Sequence, residues 1–386
     1  MNNLGILIKY EWKKLWQKKM VKIAVAAAIL LQVFACLSFL MMSEAEYSTD
    51  EEGNVVWESS MSGYEKQMTE KRNAQALDGR VIDDTLISEA LHPSNPENGR
   101  KEYEEIILLL HSVLEDKTMN ADSDLFYRTW RSNIVLKASL DQSLNSKENA
   151  YWEKRVDKVE TPFTYKYSFL WQDMLNIGMT VGTIVMMLIA SCLSGVFADE
   201  SKRGTDQLVL CTKNGKAPIY AAKIITGTLF GIGCVLLLYG ITFAIRGGFL
   251  GFEGFDAGLQ QLSPNIPYAI SVGKAFLIMF GIALIVSVLH SVFSMVLSEY
   301  INNAVAVLLI MVAIMILAMA VSVPDQLRLL SQLHSYLPIN SNAGWNFADF
   351  RTVPVFGARL NYFQFTAILY ALMSAGIVFV GKRRYR

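Results

Sequence analysis

Six stretches of this chain run for more than 20 residues without an Asp, Glu, Lys or Arg: Ile23–Ser43, Met174–Ala198, Ile224–Ile245, Ala275–Ser298, Tyr300–Pro324 and Asn361–Gly381. No other feature constrains the fold so tightly. A bilayer's hydrocarbon core is about 30 Å thick, and at a rise of about 1.5 Å per residue a helix of roughly 20 apolar residues crosses it. Backbone groups in hydrocarbon find no water and must bond within their own segment, so runs of this length are read as helices. A soluble chain of 386 residues would instead divide into two or three domains with its apolar residues dispersed. The expected fold class is therefore an all-α polytopic membrane protein with six transmembrane helices.

The formal net charge of zero conceals a segregation. Glu44–Asp173 carries 26 acidic and 15 basic residues, a balance of −11. Most remaining bases fall in three segments. The N-terminus has Lys9, Lys13, Lys14, Lys18, Lys19 and Lys22; the loop 198–223 has Lys202, Arg203, Lys213, Lys216 and Lys223; the tail has Lys382, Arg383, Arg384 and Arg386. Lys and Arg near span ends mark the cytoplasmic side. With six spans these three segments share one side, so both termini are expected in the cytoplasm and the acidic insert outside. A multi-pass membrane protein follows; a bacterial plasma membrane is the expected location.

The expected organisation begins with a cytoplasmic amphipathic interface helix over residues 1–20. Leu4, Ile8, Trp12, Leu15 and Trp16 share one face, with Lys9, Lys13 and Lys14 on the others. Such a helix suits the headgroup region beside anionic lipid. The first span, 21–43, is too long for a cleaved signal peptide and reads as a retained anchor. The insert, 44–173, is the size of a small domain and is expected to be mostly helical. Its first part, Tyr47–Ser60, reads as acidic and turn-like. Helical spacing follows over Tyr64–Ala76, Val81–Leu91, 101–115 and Asp124–Ser143. Residues 174–386 complete a bundle of five spans, with an apolar segment, 324–360, between the last two. That segment either dips back into the membrane or lies on its surface as an amphipathic helix.

Chemistry is sparse. The four cysteines, Cys36, Cys192, Cys211 and Cys234, make neither a disulfide framework in the insert nor a CxxC metal pair. No P-loop, HExxH or GxSxG is present, the four histidines are scattered, and no metal site is expected. No span carries Asp or Glu in its middle, which argues against a carrier driven by buried carboxylates. His290 alone stands as an intramembrane polar candidate, read either as functional or as a neutral ring bonded within the bundle. The pairs Gly178/Gly182 and Gly227/Gly231 allow close helix approach. A bundle without an engine implies a partner that supplies energy.

The loop after the second span pairs charge with a short apolar stripe, and it resembles the signature of type-2 ABC exporter permeases (the ABC-2 type). That pattern is roughly E-x-x-x-G-T, a Leu-Leu pair, a Thr or Ser, then a Lys at the next span. Glu200, Gly204, Thr205, Leu208 with Val209, Thr212 and Lys223 match it here. Lys213 stands where a Pro is common. The N-terminal helix, six spans and external segment are similar too, and the large insert resembles Firmicutes members of the family. The resemblance implies that Glu200, Gly204, Thr205, Leu208 and Thr212 contact a cytoplasmic ABC ATPase subunit. It places Trp12, Leu15 and Trp16 on the interface helix. It further implies that ATP and Mg bind that partner, that this chain holds no cofactor and is not itself an enzyme, and that a second permease copy or paralogue completes the pair. Membrane lipid is the other expected partner, and nucleic acid is not one. The expected function is export of an amphipathic substrate: a lipid, a peptide or an antimicrobial. The alternative is a sensory or resistance complex that binds a peptide outside and is moved by a partner ATPase without transport.

Overall fold

The computed structural model describes residues 2–41, 43–49, 55–93, 101–115, 118, 121–204 and 216–385. The chain is mostly helical, and among the described residues five helices are long and apolar enough to cross a membrane: Lys19–Met41, Phe169–Lys202, Ala217–Leu250, Val272–Ile301 and Tyr362–Arg384. A shorter helix of 17 residues, Ala304–Ala320, is apolar throughout. This is a multi-pass membrane protein.

Two compact units divide the chain. The first comprises Met1–Gln32, Leu175–Ile241 and Leu277–Arg386; the second comprises Val33–Met174 and Thr242–Phe276. Helix α1 (Asn2–Gln17) opens the first, followed after one residue by α2 (Lys19–Leu37).

The insert within the second unit begins with an antiparallel ribbon, β1 (Ser43–Thr49) on β2 (Val55–Ser62), whose register shifts between Glu46 and Tyr47. The acidic, turn-like reading of Tyr47–Ser60 missed this pair, because Val55, Val56 and Trp57 are its only run of strand-forming residues. Helices α3 (Gly63–Ala76), α4 (Asp84–Leu91), α5 (Glu104–Leu114) and α6 (Ser123–Asp141) follow, close to the expected boundaries, and then α7 (Ser146–Val156), which the sequence reading did not anticipate. Each of α3, α4, α6 and α7 starts on a Ser, Asp or Asn whose side chain accepts from a first-turn N–H. Their inner faces bury Leu86, Ile106, Leu110, Phe126, Trp130 and Trp152. Phe163 meets Phe126, Tyr127 and Trp130 edge-on, at ring separations of 5.2–6.2 Å. The Tyr127 hydroxyl donates to Ile82 O and accepts from Phe163 N, both at 2.8 Å. Burial accordingly pushes that phenol up to about 12.

In the same unit Asp173 and Arg246 form a two-pronged ion pair, with both bonds at 2.7 Å. They lie near the ends of α8 (Phe169–Leu193) and α10 (Lys216–Leu250), helices that extend beyond the charge-free runs. Paired charges with mutually satisfied donors and acceptors can enter a span where a lone charge cannot.

The Glu105 carboxyl is half-buried and accepts from the Tyr165 hydroxyl. Burial holds it above the usual carboxylate range, against the opposing effect of that hydrogen bond. Its folded pKa exceeds the unfolded one, so its contribution to stability is complete below the unfolded value and is lost as pH rises through the folded value. Glu105→Gln keeps an acceptor for Tyr165 and removes the charge. It is expected to raise the thermal midpoint at pH 7 by about 1–2 °C and to leave it unchanged near pH 4, which melts of the purified protein at the two pH values will test.

In the first unit, α11 (Val272–Ile301) packs on α10 where glycines leave room. A Cβ on Gly231 would strike Ser291 and lie 3.1 Å from the Ser287 carbonyl, and one on Gly227 would strike Met295. These glycines serve helix contact, as their spacing suggests. On α8 a Cβ at Gly178 would strike the Met279 side chain of α11 and lie 3.1 Å from Asn342 O, and one at Gly182 would lie 2.7 Å from Asn342 Nδ2. The segment after α12 (Ala304–Ala320) is thus folded in against α8. It starts as α13 (Arg328–Ser335), with Leu329, Leu330 and Leu333 exposed, and then buries Asn340, Ser341, Asn342, Phe347 and Phe350. Arg351 fastens it through Asp349 at 2.8 and 2.9 Å and Ser331 at 2.7 Å. From α14 (Tyr362–Arg384), Tyr362 and Tyr370 donate to the carbonyls of Ser335 and Tyr336. A short hairpin, β3 (Val353–Val355) with β4 (Ala358–Leu360), leads into α14.

Candidate coupling site

Helix α8 ends at Leu193, and a turn leads to the six-residue helix α9 (Ala198–Arg203). Glu200 lies on α9, and its carboxylate is the centre of an ionic cluster. Lys14 of α1 and Lys223 of α10 both donate to Glu200 Oε1, the latter at 2.6 Å. Lys223 also reaches Glu11 Oε2 and the Val196 carbonyl, each at 3.4 Å, and its ammonium lies 5.2 Å from the Phe197 ring centroid. One turn away, Lys18 donates to Asp199 Oδ2 at 2.7 Å and to the Gly195 carbonyl at 3.4 Å. The cluster therefore sets Lys14, Lys18 and Lys223 against Glu11, Asp199 and Glu200, three charges of each sign.

Burial decides how much these pairs matter. The Lys223 side chain is 0% exposed and that of Glu200 only 9%, so solvent screens their attraction little. Exposed ion pairs of this type contribute about 0–1 kcal/mol. A buried pair differs because removing one member strands the other's charge. Burial and then the neighbouring Lys223 ammonium draw Lys14 down to about 8.

Apolar contacts carry the rest of the attachment. Leu15 is buried, and Trp16 meets Phe230 of α10 edge-on at 6.2 Å. Trp12 lies 6.3 Å from Trp16 and remains 37% exposed. Thr226 donates to the Ile8 carbonyl at 3.4 Å. Helix α1 is thus fixed along α9 and the first turns of α10, with Ile6, Tyr10 and Trp12 left outward.

The structure brings together Glu200, Leu15 and Trp16, with Trp12 beside them. Gly204 caps α9 in the left-handed conformation (φ +66°), its N–H directed at the Glu200 and Ser201 carbonyls, with nothing within 4 Å of a would-be Cβ. Thr205, Leu208 and Thr212 lie outside the described residues. His290 belongs to another part of the first unit, beside Met186 and Met311. Sequence reasoning did not single out Glu11, Lys14, Lys18 or Asp199 as partners. The only local signal was the Glu11–Lys14–Lys18 spacing, which puts these side chains on one helical face. Among the described residues no group of His, Cys, Asp and Glu is placed to hold a metal ion.

The fold and this cluster define a multi-pass helical membrane protein whose N-terminal helix is anchored by ion pairs to the ends of two later helices. No protein-family model matches the chain, and neither a curated protein nor a solved structure matches it.

Proposed function

We propose that the chain is the membrane-spanning subunit of an ABC-2 type exporter, moving an amphipathic substrate with energy from ATP and Mg bound by a separate cytoplasmic subunit. The observation that carries this reading is Glu200 held between Lys14 and Lys223. That carboxylate joins the amphipathic helix, the start of the 198–223 loop and the next span. A push on the loop would reach both helices together, which is what a coupling element requires. The resemblance puts the ATPase contact at this loop. On the same reading α12, with the four residues after it, makes the fifth of six spans, both termini lie in the cytoplasm, the insert lies outside, and a second permease copy or paralogue completes the pathway.

A second reading, a sensory or resistance complex without transport, has one observation in its favour. The second unit has an open cavity of about 650 Å³, lined by Lys158, Phe163, Lys166, Asp256 and Gln261 among others, with room for a short peptide.

The exporter reading is tested by co-purifying the chain with a cytoplasmic ATPase and measuring stimulated hydrolysis. Gly204→Trp projects a large side chain into the open space beyond α9 and is expected to lower stimulation about tenfold or more. Gly204→Asn, which tolerates the left-handed backbone, is expected to keep it within about twofold. An unaltered chain that associates with no ATPase defeats the proposal, and so does equal stimulation by both variants.

A further inference from the structure

We infer that α14 is a strut between the coupling site and the segment 324–360. Tyr220 and Tyr385 hold its C-terminal end, Tyr362 and Tyr370 bind the segment to its N-terminal end, and movement at one end reaches the other. The inference deepens the exporter reading, on which it rests for the source of that movement; the mechanical link itself is a property of this chain alone.

The C-terminal attachment lies beside the ionic cluster. Phe197 precedes Glu200 by three residues, and Tyr220 precedes Lys223 by three on α10, so an aromatic pair accompanies the ionic one. The Phe197 and Tyr220 ring centroids are 5.9 Å apart, and Tyr385 completes a triangle at 5.6 Å from Phe197 and 5.4 Å from Tyr220. The Tyr220 hydroxyl donates to the Val378 carbonyl of α14 at 2.9 Å. A Cβ on Gly381 would strike that hydroxyl, so α10 and α14 meet as closely as a glycine allows. Glu200 thus ties the start of the loop to α1, and Phe197 ties it to α14.

At its other end α14 satisfies groups that the segment cannot satisfy itself. The Tyr362 hydroxyl donates to Ser335 O at 2.7 Å, and that of Tyr370 to Tyr336 O at 2.8 Å. These carbonyls belong to the end of α13, where a helix leaves its last C=O groups without internal partners. Tyr362 also stacks on Tyr336, with ring centroids 5.3 Å and planes 12° apart. Both donors are buried.

Between these ends α14 is loosely held. Only Ser374 is buried between Tyr370 and Gly381, while Leu372, Phe379 and Val380 are exposed. Met373 and Ile377 face a cavity of about 220 Å³ whose other walls include Met186 of α8 and Leu289 and Phe293 of α11. A close-packed interior transmits strain to whatever lies beside it, and here the middle of the helix has little to push against. The helix has 23 residues and no proline to kink it, so it spans about 34 Å as one rigid piece. A displacement that enters at Tyr220 and Tyr385 therefore leaves at Tyr362 and Tyr370.

Hydrogen exchange of the full purified chain in lipid nanodiscs, without nucleotide or ATPase, tests this. Tyr220→Ala removes the C-terminal attachment and is expected to speed exchange of the Arg328–Tyr336 amides about tenfold, although they lie at the opposite end of α14. Tyr362→Phe loses the bond to Ser335 and should in turn speed exchange in α9 about threefold, because coupling between two sites is reciprocal. Val307→Ala is the control. Val307 is buried in the first turn of α12, close behind Tyr300, which Arg384 of α14 covers at 4.3 Å, so it marks the same end of the unit. Its truncation also costs packing but should leave the Arg328–Tyr336 amides within about twofold of the parent. An unchanged segment in Tyr220→Ala overturns the inference, as does an equal rise in Val307→Ala or an α9 that ignores Tyr362→Phe. If Tyr220→Ala does not fold, Tyr385→Ala, at the end of the helix, makes the same comparison. The two failures are separable: a chain that recruits no ATPase sinks the exporter reading and leaves this link standing, while a segment that ignores Tyr220 sinks the link alone.

Discussion

Gly254→Ala is expected to destabilise the second unit by about 3–5 kcal/mol, enough to prevent its folding at physiological temperature. Two effects act at once. Gly254 has φ +76°, a conformation that disfavours a side chain. A Cβ there would also run into the Tyr167 carbonyl oxygen and come within 2.8 Å of Ser168 Cα. Both obstacles are backbone, so no rotamer change relieves them. They matter because the 242–276 stretch is stitched to the insert at just this place: Trp171 Nε1 donates to the Glu253 carbonyl at 3.0 Å, and Tyr167 Oη donates to the Leu250 carbonyl at 2.5 Å. Gly248→Ala is the control, since an added Cβ meets nothing and the residue is helical. It is expected to be neutral or stabilising by about 0.5 kcal/mol. Thermal unfolding of the two variants, followed together with protease sensitivity of the insert, separates them; equal midpoints would refute the account.

The membrane class of the chain was legible because hydrophobic run length is a local property. Each of the six runs contains or overlaps an apolar helix, although one of these, Ala304–Ala320, is only 17 residues long. The boundaries were less legible. Asp173, Lys223 and Arg246 stop a charge-free run, yet all three lie within helices because each finds an opposite charge. Partners distant in sequence leave no local mark: Lys14 and Glu200 are 186 residues apart. The same limit applies to Gly178 and Gly182. Their spacing announces a close approach but not its object, which is Asn342 of a connecting segment for both and Met279 of α11 as well for Gly178. His290 was legible as unusual from its position alone. That it lines a cavity depends on three other helices and a loop, which no periodicity reveals.

Glu200→Ala is expected to cost about 2–4 kcal/mol, whereas Lys223→Met should cost no more than about 1 kcal/mol. The asymmetry follows from what each change leaves behind. Removing Glu200 strands the Lys223 ammonium, whose side chain is 0% exposed, leaving Glu11 and the Val196 carbonyl, each at 3.4 Å, to answer it. Removing Lys223 leaves Glu200 still paired with Lys14, whose side chain is 36% exposed and shares its charge with solvent. Met preserves most of the lysine's buried hydrocarbon, so little packing is lost. In the double variant the stranded charge is gone, and Glu200→Ala combined with Lys223→Met should be more stable than Glu200→Ala alone. That reversal is the sharpest part of the expectation, because simple loss of contacts would make the double variant worse than either single one. Thermal midpoints of the three variants measure it, and protease release of residues 2–17 reports whether α1 has come away. On the exporter reading the double variant is also informative. It keeps α1 packed through Leu15 and Trp16 and tied to α9 by Lys18 and Asp199 while removing the buried Glu200 link, so on that reading it should fold, bind the ATPase and transmit its stroke poorly. A double variant that folds and stimulates hydrolysis and transport like the parent would show that α1 and the loop communicate without the Glu200 link.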